Sequence, residues 1–193
     1  MNKLSERIEN LPVSATLAMA AKARELKKSG VDVISLSLGE PDFNTPDFVK
    51  EAAIKAIEEN YHSYPPVDGY FELKEAICEK FKRDNNLNYK PSQIVVSTGA
   101  KQSIANVCMA LLNKGDEVLL PAPYWVSYSA IVTLCEAKFK IIPTSIENGF
   151  KITPDQLKSE LTSKTRLIMF NSPNNPSGIV YSKKELYEFA KIL

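Results

Sequence analysis

The stretch Glu117–Pro143, "EVLLPAPYWVSYSAIVTLCEAKFKIIP", contains a complete strand–helix–strand pattern. Its first residues, "EVLLP", predict a buried strand, "YWVSYSAIVTLC" predicts an apolar helix, and "KFKIIP" predicts a second strand. Two strands joined by a helix are connected by a right-handed crossover and lie parallel in one sheet. The stretch therefore predicts an α/β fold with a mainly parallel sheet.

The same alternation continues on both sides of this stretch. Apolar runs bounded by Gly, Pro or polar residues predict the strands, and apolar residues at helical spacing predict the helices. The further predicted strands are "VDVISLSLG" (31–39), "QIVVSTG" (93–99) and "RLIMFN" (166–171), and the further helices are 15–29, 47–60, 70–85, 101–115, 154–161 and from 183 onward.

Composition and charge exclude several classes of function. The chain has 193 residues, of which 44% are apolar, and a net charge of +1. A charge so close to zero gives no electrostatic basis for binding nucleic acid. No apolar run approaches the roughly 20 residues that a membrane helix needs, and the N-terminus "MNKLSERIEN" lacks the apolar centre of a signal peptide. We therefore expect a cytoplasmic protein without nucleic-acid or membrane partners.

Cysteine and histidine give no indication of a metal site. The three cysteines, Cys78, Cys108 and Cys135, are widely spaced, lie in apolar contexts and match no zinc pattern. The single histidine, His62, has no histidine partner. The cysteines are expected to be reduced and structural.

Three loops follow predicted strands, at the edge of a parallel sheet where ligands bind. They are "STGAKQ" (97–102), "PAPYWVSY" (121–128) and "NSPNNPSG" (171–178). The first leads into a helix, and the free amides of a helix N-terminus attract anions, phosphate above all. An ordinary strand-to-helix turn explains this stretch equally well. The chain lacks the glycine patterns that bind dinucleotides or nucleotide triphosphates.

The other loops suggest contacts to a flat ring, although each also has a purely structural explanation. Trp125 could stack on such a ring or could pack in the core. In "NSPNNPSG", prolines restrict the backbone, so an Asn amide could be held against an oxygen of the ring, or the Asn could cap the loop itself. In "SLGEPDFNTP" (37–46), Gly39 could bring a backbone amide close to a substrate carboxylate, or the segment could be a linker.

Taken together and in this order, the motifs resemble the class I aminotransferases of the fold-type-I pyridoxal-phosphate enzymes, in particular the bacterial aspartate aminotransferase subgroup. The resembling segments are "SLGEPDFNTP", "YPPVDG", "STGAKQ", "GDEVLLPAPYWVSY" and "NSPNNPSG". The resemblance covers nearly the whole chain. It implies a three-layer αβα sandwich for residues 46–193, an N-terminal arm and small-domain segment for residues 1–45, and a homodimer.

The resemblance also implies which residues bind the cofactor, pyridoxal 5'-phosphate. The phosphate would lie at the start of a helix, at Gly99, Ala100 and Lys101. Trp125 would stack on the pyridine ring and Asn175 would hydrogen-bond the ring's phenolic oxygen. Tyr64 would reach the phosphate bound by the neighbouring subunit.

A second set of positions is implied for the amino acid and 2-oxo acid substrates. Gly39 would receive the α-carboxylate, in a site that Trp125 and Asn175 also line. The distal carboxylate of a dicarboxylic substrate would be bound by Ser14, Thr16 and Lys101. Ser14 could equally be only a helix N-cap. The expected reaction is transfer of the amino group of aspartate, or a similar amino acid, to 2-oxoglutarate.

Several residues that the family needs have no counterpart in these 193 residues. No Ser has Lys three positions later, so the pattern S-x-x-K of the family's Schiff-base lysine is missing, and D-x-x-Y is missing as well. The final "ELYEFAKIL" keeps its apolar periodicity to Leu193. We therefore expect the N-terminal half of an aminotransferase, in which the Schiff-base lysine lies beyond residue 193 and which is inactive alone.

Two other interpretations stay open at this point. The chain could belong to another fold-type-I enzyme, such as an aromatic, kynurenine-type or prephenate aminotransferase or a carbon–sulfur lyase. It could also be a non-catalytic, half-length module that binds the cofactor.

Overall fold

The central strand of the sheet is β1 (Glu117–Pro121), which pairs in parallel with β2 (Lys138–Ile142) on one side and with β3 (Thr165–Ile168) on the other. The computed structural model describes residues 3–11, 15–36, 39 and 41–193. Leu119 lies opposite Lys140 in β2 and Ile168 in β3. The parallel pairing confirms the predicted α/β class.

Helices precede, connect and follow the strands. In the described part of the chain they are α1 (Glu6–Glu9), α2 (Ala15–Lys28), α3 (Asp47–Glu58), α4 (Phe71–Asn85), α5 (Ala100–Leu111), α6 (Ser127–Leu134), α7 (Pro154–Glu160) and α8 (Lys183–Ile192). The short α1 was not predicted from the sequence. The start of α6 differs from the prediction, because residues 122–126 are not helical and Tyr128 N donates to Trp125 O, three residues earlier, at 2.9 Å.

Two predicted strands are not found as strands among the described residues. The described residues of 31–39 form no β-strand, and "QIVVSTG" begins at the end of a 3-10 turn, Pro91–Gln93, and continues as a segment that is not a strand. Ile94 has extended backbone angles, φ −109 and ψ 132. Extended backbone becomes a strand only when a second strand bonds to it. Here Val96 N donates to Asp68 O, in a loop, at 3.0 Å.

The core of the sheet region consists of two apolar clusters on opposite faces of β1. Successive strand residues point to opposite faces, so Val118 and Leu120 pack in one cluster and Leu119 packs in the other. All three side chains are fully buried. This explains why β1 is continuously apolar rather than alternating.

Tyr181 ties the chain that follows β3 to the second cluster. Its ring packs edge-on against Phe170 and Phe189, with ring centroids 5.5 and 5.4 Å away. Its hydroxyl accepts a hydrogen bond from Ile152 N at 3.0 Å. Burial raises the pKa of Tyr181 above its ordinary value. The hydroxyl is therefore a fixed, neutral acceptor inside the core.

The first turn of α8 is closed by a reciprocal capping box. Ser182 N donates to Glu185 Oε2 at 2.6 Å, and Glu185 N donates to Ser182 Oγ at 3.3 Å. Lys151 Nζ lies 3.1 Å from both carboxylate oxygens of Glu185. The hydrogen bonds from Ser182, followed by the Lys151 interactions, lower the pKa of Glu185 from 4.5 to about 2.

This carboxylate predicts a specific pH dependence of stability. Because the pKa of Glu185 is lowered in the folded state, its contribution is complete above about pH 4.5 and is lost as the pH falls through about 2. Glu185→Gln keeps a capping acceptor but removes the charge, so we expect a loss of under about 1 kcal/mol at pH 7, since the group is partly exposed. Urea denaturation at a series of pH values measures it. The wild-type advantage should shrink below pH 4.5, whereas Glu188→Gln in the same helix should change stability by less than about 0.5 kcal/mol at any pH. An advantage that persists at pH 2 would contradict the assignment.

The described residues divide into two compact units. One comprises the described residues of Met1–Val13 together with Ala100–Leu193, and the other those of Ser14–Gly99. The first unit contains the sheet, and the second contains α2, α3 and α4. The domain boundary at residues 45 and 46 that the resemblance implies stays a prediction.

Within the second unit, the turn of the "YPPVDG" motif is held at Asp68 and Gly69. Lys74, which is 7% exposed, places Nζ 2.5 Å from Asp68 Oδ2, and this interaction lowers the pKa of Asp68. Gly69 has φ +102, and a Cβ there would lie 2.6 Å from Val96 Cγ2. Only glycine fits this position, because a side chain here would push the turn away from the segment around Val96.

Three further expectations concern cysteines, metals and membranes. Cys108 is fully buried, whereas Cys78 and Cys135 are only half-buried, and all three are free thiols. Among the described residues, no group of histidine, cysteine and acidic side chains could hold a metal ion. None of the described helices is long and apolar enough to span a membrane.

Candidate cofactor-binding site

The candidate site lies where the chain leaves the carboxyl ends of β1 and β3. These strands are parallel neighbours, so the loops that follow them start at the same edge of the sheet. Pairing continues past β3, since Met169 N donates to Leu119 O at 3.0 Å. Past β1, Ala122 N donates to Ile142 O at 3.0 Å. The loop containing Trp125 and the loop containing Asn175 therefore begin from a rigid base.

Lys101 and Trp125 come together at this edge, although they are far apart in the sequence. Lys101 Nζ lies 5.2 Å from the centroid of the Trp125 ring, within the range of a cation–π interaction. Trp125 is half-buried and packs edge-on against Tyr128, with ring centroids 5.6 Å apart at 86°. Tyr128 belongs to the core. The indole is thus fixed by the core on one side, and the first turn of α5 carries a positive charge over it.

The loop after β3 is closed by Asn174. Its side-chain Oδ1 accepts from Ser177 N at 3.1 Å and from Ser177 Oγ at 2.8 Å. Its backbone N donates to Ile179 O, and its backbone O accepts from Gly178 N, both at 2.8 Å. Gly178 has φ +74, a conformation that other residues resist. Asn174 is therefore bonded on both its side chain and its backbone.

The side-chain amide of Asn171, three residues earlier, forms a hydrogen bond through only one of its two polar atoms within the described residues. Its Nδ2 donates to Pro173 O at 2.9 Å, which fixes which amide atom is the nitrogen. Its Oδ1 is buried and has no hydrogen-bond partner in the described part of the chain. A buried acceptor without a partner is unfavourable by about 1–3 kcal/mol, so it marks a place where a donor is expected.

Asn175 differs from both of these asparagines. It is exposed, and its side-chain amide forms no hydrogen bond with any residue that the structure describes. The peptide bond to Pro176 is cis, as are those before Pro123 and Pro173. The loop thus leaves one amide available for a ligand and uses its neighbours to hold the backbone.

The remaining predicted site residues, apart from Ala100, belong to the other unit or lie outside the described residues. Gly99, just before α5, has φ +81 and open space where a Cβ would be, and Ala100 is the first residue of the helix. Tyr64 is fully exposed, Gly39 is exposed, and Thr16 is half-buried near the start of α2. Ser14 lies outside the described residues. The roles of all these residues stay predictions.

Two residues of this loop were not singled out by the sequence reasoning. Asn171 and Asn174 lie in the motif, and the sequence allows an Asn of the motif to cap the loop backbone but does not indicate which Asn does so. The available signal was Ser177, three residues after Asn174, a spacing at which an Asn side chain can reach the backbone amide. The sequence contained no comparable signal for the orphan oxygen of Asn171.

The residues present fit a flat, anionic ligand. An available amide and a lysine over a half-buried indole provide both polar and stacking contacts. The start of α5, beside Lys101, offers backbone amides to an anion. A phosphorylated pyridine has a π face, an anionic group and a ring oxygen that match these features.

Comparison with known proteins supports the same interpretation. The family model for aminotransferases of class I and II matches residues 31–193. An aspartate/prephenate aminotransferase of Nitrosomonas europaea is 50% identical over 191 residues, which are 99% of this chain and 48% of that protein. An aspartate aminotransferase of Bacillus subtilis is 48% identical over 98% of this chain and 48% of its own length.

Solved structures give the same result for the fold. The aspartate aminotransferase of Thermus thermophilus with maleate superposes with a TM-score of 0.96 at 42% identity, covering 100% of this chain and 50% of that one. The aspartate aminotransferase of Rhizobium meliloti has a TM-score of 0.94 at 44% identity, covering 100% and 48%. The chain therefore spans about half the length of the proteins it matches.

Proposed function

The chain belongs to the class I and II aminotransferase family, whose members use pyridoxal phosphate, and on this basis we propose that the whole protein transfers the amino group of aspartate to 2-oxoglutarate. The observation that carries the proposal is the pairing of Lys101 with Trp125 at the carboxyl end of the sheet. This contact places a cation, which can bind an anionic group, beside an aromatic surface on which a flat ring can stack.

The cofactor, when bound, supplies the electron sink that lets the α-carbon of the substrate lose its proton. The residues of this chain would hold it in place. Gly99, Ala100 and Lys101 would bind its phosphate, Trp125 would stack on its ring, and Asn175 would donate to its phenolic oxygen. Fixed contacts of this kind matter because a small misplacement of the reacting atoms slows the chemistry strongly.

Lys101 supports a dicarboxylic substrate. An ammonium group forms charge-assisted hydrogen bonds with a carboxylate, and Ser14 and Thr16 would add hydroxyl donors. A relative named aspartate aminotransferase is 48% identical over 98% of this chain. One matched structure contains maleate, which is itself a dicarboxylate. Gly39 would leave room for the α-carboxylate, since no atom of the described residues lies within 4 Å of the position of a Cβ there.

A second acceptor, prephenate, is favoured by one specific observation. Several relatives at 48–50% identity carry the name aspartate/prephenate aminotransferase or its probable form. Prephenate is also a dicarboxylate, so the same Lys101 would serve it. Measuring the rate of amino transfer from aspartate to each acceptor distinguishes a single from a dual specificity.

We further propose a homodimer that works in the cytoplasm. Tyr64 is fully exposed, as a residue that reaches a neighbouring subunit would be in an isolated chain. The three free cysteines agree with a reducing compartment.

Replacing Lys101 tests the proposed function and its substrate class together. In the whole protein, Lys101→Ala should raise the KM for aspartate about 10- to 100-fold, because a charge-assisted hydrogen bond is worth about 1.5–3 kcal/mol. The KM for a donor without a distal carboxylate, such as phenylalanine, should change less than about threefold. Steady-state kinetics with both donors and 2-oxoglutarate measure the difference.

The matched control is Lys114→Ala, an exposed lysine just beyond the other end of α5, which should leave both KM values unchanged. An equal rise for both donors would assign Lys101 to the cofactor alone. A whole protein that transfers no amino group from aspartate under any of these conditions would refute the proposed donor.

A further inference from the structure

We infer that Asn174 is a positioning residue for Asn175, directing the Asn175 amide at the phenolic oxygen of the cofactor. This inference rests on the proposed function. It concerns how one side chain of the loop after β3 sets the direction of the next.

The first support is the contrast between two consecutive asparagines. Asn174 forms four hydrogen bonds within the loop, two through Oδ1 to Ser177 and two through its backbone to Gly178 and Ile179. The side chain of Asn175 forms none with the described residues and is exposed. All the local restraint on the Asn175 backbone therefore comes from its neighbours rather than from its own amide.

The second support is that the loop is also fixed at its two ends. Tyr181 N donates to Ser172 Oγ at 3.0 Å, and the Tyr181 ring is buried in the core. Asn171 Nδ2 donates to Pro173 O at 2.9 Å. With both ends anchored, the turn that Asn174 closes and the flanking prolines are the remaining local determinants of where residue 175 lies.

Positioning of this kind affects binding because hydrogen bonds depend on direction. A donor amide loses most of its contribution when the angle of its hydrogen bond falls below about 120°. Without the Oδ1 contacts, Ser177 and the turn lose their fixed geometry, and the Asn175 amide samples orientations that miss the ring oxygen. A binding group held loosely by its supporting residues is a common cause of weak sites.

The test uses the whole protein and pyridoxal phosphate as the probe. Asn174→Ala should raise the Kd for pyridoxal phosphate about tenfold. A donor to the ring oxygen favours its anionic form, so the pH midpoint of the bound cofactor's absorbance should rise, in the same direction as in Asn175→Ala and by less. The double variant Asn174→Ala/Asn175→Ala should match Asn175→Ala alone, because Asn174 acts only through Asn175.

Two further variants complete the design. Ser177→Ala removes the 2.8 Å bond and keeps the 3.1 Å bond, so it should show a smaller shift in the same direction, and it carries the test if Asn174→Ala does not fold. Asn148→Ala is the matched control, since Asn148 Oδ1 closes a turn by accepting from Ser145 N at 2.9 Å away from this loop. It should bind the cofactor as the wild type does.

The outcomes separate the inference from the proposed function. Additive effects in the double variant, or an unchanged pH midpoint in both Asn174→Ala and Ser177→Ala, would overturn the inference while wild-type cofactor binding leaves the proposed function intact. A wild-type protein that does not bind pyridoxal phosphate would overturn both.

Discussion

The 193-residue chain, mixed with pyridoxal phosphate, aspartate and 2-oxoglutarate, should form no glutamate above the rate that free pyridoxal phosphate gives. The chain contains neither S-x-x-K nor D-x-x-Y, the patterns in which the family places its Schiff-base lysine and the acid that faces the pyridine nitrogen. Without those groups, we expect no described residue of the chain to move the α-proton in their place. Since general acid–base catalysis alone contributes about 10²–10⁴-fold, the loss should be essentially complete.

Glutamate formation is measured with a coupled assay, and free pyridoxal phosphate supplies the baseline. The whole protein, assayed under the same conditions, is the positive control and should exceed that baseline by several orders of magnitude. Turnover by the 193 residues alone would mean that one of their own lysines does the chemistry, and it would contradict the proposal that this lysine lies outside them.

Leu119→Ala in the whole protein should lower the free energy of unfolding by about 3 kcal/mol. Leu119 is fully buried in the middle of β1, where it packs in the cluster with Leu157 and Phe189. A large-to-small change there removes apolar contact and leaves a cavity, because the backbone on both sides is held by β2 and β3. Few substitutions elsewhere in the described residues should have so large an effect.

Chemical denaturation of the two proteins measures the difference. Leu87→Ala serves as the control, because Leu87 is 46% exposed and lies after α4 rather than in the sheet. It should cost less than about 1 kcal/mol. If Leu119→Ala costs no more than Leu87→Ala, then β1 is not the centre of the core that holds the strand ends in place.

The sheet could be predicted because its signals are local. β1 reads as a continuous apolar run since both of its faces are covered, and the adjoining Gly115 and Pro121 mark its limits. The order of strands and helices then required parallel pairing. These features depend on the residues of each element and not on distant partners.

The two strand predictions that were wrong, 31–39 and 93–99, concern segments whose strand formation depends on a second strand beside them. The segment around Ile94 is extended, as its apolar residues indicate, yet a strand needs a second strand, and no property of the segment reveals whether one is present. The same applies to 31–36. Sequence indicates the conformation that a segment prefers, whereas pairing depends on what lies beside it in space.

Within the candidate site, the sequence reveals the motif but not the role of each asparagine in it. Three asparagines of the same loop have identical side chains, and only the structure distinguishes Asn174, which closes the turn, from Asn175, which is left available. The contact between Lys101 and Trp125 likewise follows from the packing of α5 against α6, which Trp125 precedes, rather than from the spacing of the two residues in the sequence.

The position of Trp125 has a practical consequence. It is the one tryptophan of the chain, and a lysine ammonium lies over its ring. The tryptophan fluorescence of the chain therefore originates next to the candidate site. A flat ring that arrives there, or a lysine that moves away, alters the surroundings of the emitting group, so occupancy can be followed with light and without attaching a dye.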